Sequence, residues 1–232
     1  MKKNNRVWIN SIVLILFIIM LSISCKKGSD ENTSGDTLTD SDGNNYGMVT
    51  IGTQVWMDEN LKTTKYKDNS SIPLVTDNTD WSNLVSPGYS WYNNDASSNK
   101  ATYGALYNWH TVNTGKLCPT GWHVPTDDEW RTLTSYLGGE AVAGGKLKEA
   151  GTSHWLSPNL GATNESGFTA VPGGARNIDG QFLELGTNGY WWSSTAHDAT
   201  HAWYHDMVSD DQWVNRFNYY KGLGFSVRCI KD

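Results

Sequence analysis

The 232-residue chain carries 18 Lys and Arg against 24 Asp and Glu, a formal net charge of −6. Without the N-terminal cations Lys2, Lys3 and Arg6 the balance is 15 against 24, a net charge of −9. Phosphate backbones attract the opposite sign, so the charge argues against nucleic acid as a partner and against adhesion to anionic lipid without an anchor.

Residues 1–24 read as a signal peptide. The three cations precede an unbroken apolar run of ten residues, Ile12 to Leu21. A membrane-spanning helix needs about 20 residues, whereas ten suits the apolar region of a targeting segment. Leu21-Ser-Ile-Ser-Cys25 resembles a lipoprotein cleavage box, which makes Cys25 a lipidation site and the membrane a partner through that lipid. Ser22 stands where the box has an aliphatic residue, and the alternatives are an ordinary secretory signal or an uncleaved anchor. Residues 25–41 are polar, with Leu38 as their one aliphatic residue, and read as a flexible tether. Within them, Lys26-Lys-Gly-Ser-Asp-Glu31 looks like the acidic surface-export signals of Bacteroidota lipoproteins; the plainer reading is a polar linker.

Residues 42–232 suit one compact domain. Asp40, Asp42 and Asn44 have the opening spacing of a calcium loop, but Gly43 is misplaced and no Glu closes the loop. They are taken as turn residues; calcium is the one ion the spacing raises, and no other cofactor is implied. Met48–Ile51 and Val55–Met57 read as two strands about a turn at Gly52. Residues 60–100 predict long, partly ordered loops. The apolar spacing at Tyr103, Leu106, Tyr107 and His110 is helical. Thr126 with Glu129 forms a capping box, and Trp130, Leu133, Thr134 and Leu137 follow as an inward helical stripe ended by Gly138 and Gly139. Lys146–Ala150 predicts one further short turn. Phe168–Val171 and Gly180–Leu185 look like strands or extended loops. Residues 190–195, 201–208, 212–217 and 224–229 look like four successive antiparallel strands. The fold class is α+β, with short helices early and a twisted antiparallel sheet late.

Cys118 and Cys229 remain once Cys25 is assigned to the lipid. In an oxidising compartment they predict a disulfide closing a loop of about 110 residues; the alternative is two free buried thiols.

Several long motifs lie in order along the chain. They are Asp42-Gly-Asn…Tyr46, Ile51-Gly-x-Gln-x-Trp-Met-x-Glu-Asn-Leu61 and Tyr103-Gly-x-Leu-Tyr-Asn-Trp109. Cys118-Pro-x-Gly-Trp-His-Val-Pro-Thr-Asp-x-Glu-Trp130, Tyr190-Trp-x-Ser-Ser-Thr195 and Gly224-Phe-Ser-Val-Arg-Cys229 follow. Together they resemble the Fibrobacter succinogenes major paralogous domain of exported lipoproteins in Bacteroidota and Fibrobacterota, over about residues 40–232. The resemblance implies a C-type-lectin-like fold, akin to formylglycine-generating enzymes, and a family with no settled activity. Val124-Pro-Thr-Asp-Asp-Glu-Trp130 looks like a motif that opens a helix in those enzymes. Their chemistry uses two thiols that bind copper, because Cu(I) prefers soft ligands. Here the C-terminal half has one cysteine, Cys229, so that chemistry is expected to be absent.

Other sites are sparse. His197, His201 and His205 are spaced four apart, a metal-binding stripe on a helix. On a strand His201 and His205 stand roughly 13 Å apart, too far for one ion, and no metal is expected there. His123 reads as a hydrogen-bonded core residue. No nucleophile elbow, phosphate loop or zinc-protease motif is present. Eleven of the twelve tryptophans lie in the folded part. Sugar rings stack on such faces, so Trp191, Trp192, Trp203, Asp210, Asp211, Trp213, Asn215 and Asn218 are the candidate ligand residues; the plainer reading puts most of these tryptophans in the core. The function expected is a non-catalytic binding module for glycan or protein, lipid-anchored at the outer membrane or cell surface. The alternative is a structural component of the envelope that recognises a protein, and a hydrolytic enzyme comes third.

Overall fold

The computed structural model describes residues 38–232. The leader, Cys25 and most of the tether lie outside the described residues. Leu38, which composition assigns to the tether, is buried and opens the first strand.

The elements run β1 (Leu38–Thr39), β2 (Asn45–Tyr46), β3 (Met48–Ile51), β4 (Gln54–Met57), α1 (Asn78–Ser82) and β5 (Tyr89–Ser90). Next come α2 (Ala96–Tyr103), β6 (Leu106–Tyr107), α3 (Trp109–Val112), β7 (Trp122–His123), α4 (Asp127–Tyr136) and α5 (Glu140–Leu147). The chain ends with β8 (Ala175–Arg176), β9 (Phe182–Leu183), β10 (Asn188–Ala196), β11 (His201–Val208), β12 (Asn215–Tyr220) and β13 (Ile230–Lys231). All strand pairs are antiparallel. The architecture is mixed, with short helices and antiparallel sheets. Among the described residues no helix is long and apolar enough to cross a membrane.

Two sheets organise the domain. In the first, β13 lies between β4 and β7, with Ile230 opposite both Trp56 and His123. The last strand is thereby threaded between strands from the first half of the described residues. Cys229, beside it, is disulfide-bonded to Cys118 across 111 residues, with Cα atoms 6.0 Å apart. The second sheet has the order β10–β11–β12.

Helix α4 starts as its sequence dictates. The Thr126 hydroxyl accepts from the Glu129 N–H, and the Glu129 carboxylate accepts from the Thr126 N–H. Trp130, Leu133, Thr134 and Leu137 are all buried. The Trp130 ring meets Trp56 at 5.1 Å and Phe168 at 5.9 Å between centroids. Helix α5 covers Glu140–Leu147, whereas one short turn was expected at Lys146–Ala150. Its interior Gly144 and Gly145 are poor helix formers, but a Cβ at Gly144 would sit 2.2 Å from the Trp213 carbonyl oxygen. A Cβ at Gly145 would sit 2.4 Å from the Gly161 carbonyl oxygen. The glycines let two loops lie directly on the helix.

Other expectations are corrected. Residues 103–110 do not form one helix: Gly104 at φ 73 ends α2, and β6 and α3 follow. The third late strand lies at Asn215–Tyr220, not 212–217, because residues 209–214 are drawn down onto α5. Residues 224–229 join no sheet; they cross the core through single bridges to Tyr107, Arg176 and Trp191. Residues 168–171 give only a single bridge, Lys148 to Ala170.

Buried charge fixes several crossings. Arg176 donates to the carbonyls of Gly180, Thr76 and Asp77 at 3.0, 3.1 and 3.3 Å. Its guanidinium stacks between Trp81 and Phe182. The Lys148 ammonium, also buried, donates to the carbonyls of Leu160, Val208 and Asp211 at 3.1, 2.8 and 2.5 Å. Burial lowers its pKa to about 8.

Candidate functional site

Side chains alternate across the β10–β11–β12 sheet, so the register assigns each residue to a face. Tyr190 pairs with Asp206, Trp192 with Tyr204, and Tyr204 with Phe217. Ala202 pairs with Tyr219, and Asp206 with Asn215. These residues share one face. Trp191, Trp203, His205, Arg216, Asn218 and Tyr220 share the other.

The first face carries an aromatic groove. Tyr190, Tyr204, Tyr219 and Phe225 line a depression of about 140 Å³ with Glu184 and Asn177 at its polar edge. Trp192 lies wholly buried beneath, 4.5 Å from Phe225 between centroids. Tyr190 stacks on Phe225 at 4.9 Å, with planes 14° apart. Phe217 and Tyr219 leave 53% and 46% of their surfaces exposed, so the face continues outward as a row of open rings.

Polar groups frame these rings. The Tyr190 hydroxyl donates to the Glu184 carboxylate and accepts from the Asn188 amide at 2.8 Å. Burial, and then the Glu184 carboxylate, raise the Tyr190 phenol above its ordinary range. Beside Tyr190, burial raises the Asp206 carboxyl to about 6, against the Asn215 amide that donates to it at 3.2 Å. The groove thus offers flat apolar surfaces beside carboxylate and amide groups.

A second depression, of about 320 Å³, adjoins the C-terminal end of β12 and is lined by Trp81, His110, Ile178, Tyr220 and Lys221. Burial, and then Lys221, lower the His110 pKa. Tyr219 lines one depression and Tyr220 the other, as successive residues of a strand must.

The structure scatters the residues singled out from the sequence. Trp191 and Trp192 have no exposed surface and belong to the core, so neither can touch a ligand. Trp203 lies on the face opposite the groove, its ring 3.5 Å from the Arg216 guanidinium carbon. It covers an ion pair: Arg216 donates twice to Asp127, at 2.7 Å each, and His205 Nε2 lies 3.3 Å from the same carboxylate. Burial opposes ionisation of Asp127, but His205 and Arg216 hold its pKa well below the usual carboxylate range. Asn218 stands beside Trp203 on that face. Asp210, Asp211 and Trp213 lie on the loop before β12. Trp213 is 47% exposed, and its backbone N–H donates to the Asp211 carboxylate at 2.8 Å. Asn215 reaches the aromatic face through Asp206, on the side that Trp192 supports from beneath.

The rings the sequence reading missed are Tyr190, Tyr204, Phe217 and Tyr219. The signal was the two-residue spacing of Phe217 and Tyr219, hidden by setting the strand three residues too early.

The remaining candidates resolve locally. Asp40 accepts from the N–H groups of Asp42 and Asn44, the Asn44 amide and the Tyr46 hydroxyl. These donors from its own turn occupy the oxygens a calcium ion would need. Among the described residues, no group of three or more His, Cys, Asp or Glu converges as a metal site. His205 is stacked on Trp130 at 4.9 Å, whereas His201 packs on Tyr220 at the far end of the strand. His123 is hydrogen-bonded, to Asp232 at 2.7 Å and Glu129 at 2.9 Å, but it is half-buried rather than a core residue.

Searches of the curated proteins and of the solved structures find no match to this chain. Residues 49–231 match the Fibrobacter succinogenes major domain (Fib_succ_major). That span takes in the disulfide, the capping box, the aromatic groove and both main sheets, and the chain belongs to the Fibrobacter succinogenes major domain family.

Proposed function

We propose that this chain is a non-catalytic binding module that holds a glycan in the aromatic groove between β10, β12 and residues 177–184. The observation that carries the reading is the juxtaposition of open rings with hydrogen-bonding groups. Tyr204, Phe217 and Tyr219 offer faces for the C–H surfaces of sugar rings, and Glu184 and Asn177 stand where hydroxyls would point. Tyrosine suits this use because it presents a large apolar area at low rotamer cost. The reading departs from the sequence expectation in one respect: tyrosine and phenylalanine form the platform, and tryptophan supports it from below.

A C-type-lectin-like fold, lipidation at Cys25 and display at the outer membrane or cell surface belong to the same proposal. A tethered domain that presents a shallow groove is suited to capture rather than turnover. The absence of formylglycine-type chemistry is supported by the disulfide itself, since Cys118 and Cys229 are bonded to each other and neither thiol is free.

A glycan array probed with the full chain, followed by calorimetry on the best hit, tests this. Tyr219→Ala is expected to weaken binding about tenfold or more, the loss of one stacking face, while Trp213→Ala leaves it unchanged. Silence across the array, or binding lost with Trp213 and kept without Tyr219, overturns the assignment.

A further inference from the structure

Strand β12 closes its sheet on one side only. Lys221 N–H donates to the Thr200 carbonyl at 3.0 Å, which sets the alternation along the strand. Residues 215, 217 and 219 turn their backbone groups inward to β11, and 216, 218 and 220 turn theirs outward. Among the described residues, the N–H and C=O of Arg216 and Asn218 have no backbone partner; the Tyr220 carbonyl accepts from Leu223 N–H.

Free edges are usually blunted by proline, lysine, a bulge or a covering segment. Asn215-Arg-Phe-Asn-Tyr-Tyr220 has neither proline nor lysine. Its register with β11 runs from Asp206–Asn215 to His201–Tyr220 without a shift. Its one charge, Arg216, is engaged by Asp127 and Trp203. The edge is straight, unprotected and flanked by exposed Phe217, Tyr219 and Tyr220.

We propose that β12 is a homodimerisation strand, and that two copies pair antiparallel, edge to edge, about a twofold axis at Asn218. The strand is self-complementary in this register. Phe217 of each copy faces Tyr219 of the other, giving two cross-strand aromatic pairs, the kind of contact that stabilises sheets. Arg216 faces neutral Tyr220 rather than its own copy. Centring the axis on Phe217 leaves Tyr219 opposite Asn215, and centring it on Tyr219 sets Phe217 opposite Lys221; each keeps one aromatic self-pair where the Asn218 axis gives two aromatic pairs. Charge agrees. The segment before β12 is acidic, with Asp210 and Asp211, and the residue after it is Lys221. Antiparallel pairing brings the basic end of each strand toward the acidic end of its twin, which offsets repulsion between two negatively charged chains. The product is a six-stranded sheet whose aromatic faces are continuous across the axis, an isologous assembly.

The full chain in density-matched detergent micelles, followed by sedimentation equilibrium over a concentration series, tests this. A monomer–dimer equilibrium is expected. Asn218→Pro removes an outward N–H and spares the inward ladder, and Phe217→Lys places a charge at the seam. Each is expected to weaken association about tenfold or more. Asn218→Cys is expected to give a covalent dimer on a non-reducing gel, above the background set by Thr132→Cys, a control on the exposed side of α4. A monomer at every concentration overturns the proposal. So does a dimer indifferent to Phe217→Lys whose Asn218→Cys variant cross-links no more than the control.

Discussion

Asn60 and Arg228 are joined across 168 residues by one hydrogen bond, from the arginine Nη2 to the amide oxygen at 3.0 Å. The same oxygen accepts from Trp191 Nε1 at 2.9 Å, and the Asn60 amide nitrogen donates to the Tyr103 carbonyl at 3.0 Å. Arg228 is fully buried with no carboxylate bonded to it, and burial lowers its pKa to about 9. The remaining acceptors are the carbonyls of Phe168 and Thr169. Asn60→Leu keeps the branched shape and removes the shared acceptor, leaving a buried guanidinium and an indole N–H short of partners. A loss of roughly 3 kcal/mol is expected, read as a shift in the denaturant midpoint at unchanged slope.

The disulfide spans almost half the chain. Cys118→Ser with Cys229→Ser, or reduction in place, frees the unfolded chain from a closed loop of 111 residues. The loss expected is about 2–5 kcal/mol. Thermal melts with and without reductant measure it, and the double variant is expected to be insensitive to reductant.

Asp206 gives the domain a pH signature. Its folded pKa is raised to about 6, with burial as the cause, against an unfolded value of about 3.9. Between these values the folded state holds a proton that the unfolded state has released. Stability therefore falls as pH rises from about 4 to about 6, by up to about 3 kcal/mol, and this contribution is level above that. Asp206→Asn is expected to flatten that window and to stabilise the domain at pH 7 by roughly 1 to 2 kcal/mol. Chemical denaturation at a series of pH values checks both.

Gly144→Ala is expected to destabilise by more than its gain in helix propensity, because the new methyl would meet the Trp213 carbonyl oxygen at 2.2 Å. The expected net cost is about 1–3 kcal/mol. A quenched or shifted Trp213 fluorescence would accompany it, since the loop before β12 must rise off α5.

Where one local rule governed, the sequence was a sufficient guide. Thr126 and Glu129 announce α4, and Trp130, Leu133 and Leu137 announce its buried stripe, because capping and periodicity act within a few residues. The cysteine pair was legible for a different reason, that compartment and count left few other uses. Failures came where distant backbone decided the matter. Helix α5 went unread beyond a short turn at Lys146–Ala150, because the loops that rest on Gly144 and Gly145 come from distant parts of the chain. The phase of β12 could not be read because residues 212–214 look as extended as the strand that follows. Tryptophan exposure was also illegible, since Trp191 and Trp192 alternate between two faces that are both covered.

The ammonium of Lys148 occupies a niche of three carbonyl oxygens, the kind of oxygen cage that extracellular proteins often give to a dissolved ion. Here the positive charge is tethered by its own side chain. The segment that leads into β12 therefore takes its shape as the chain folds, around a cation that the chain itself supplies.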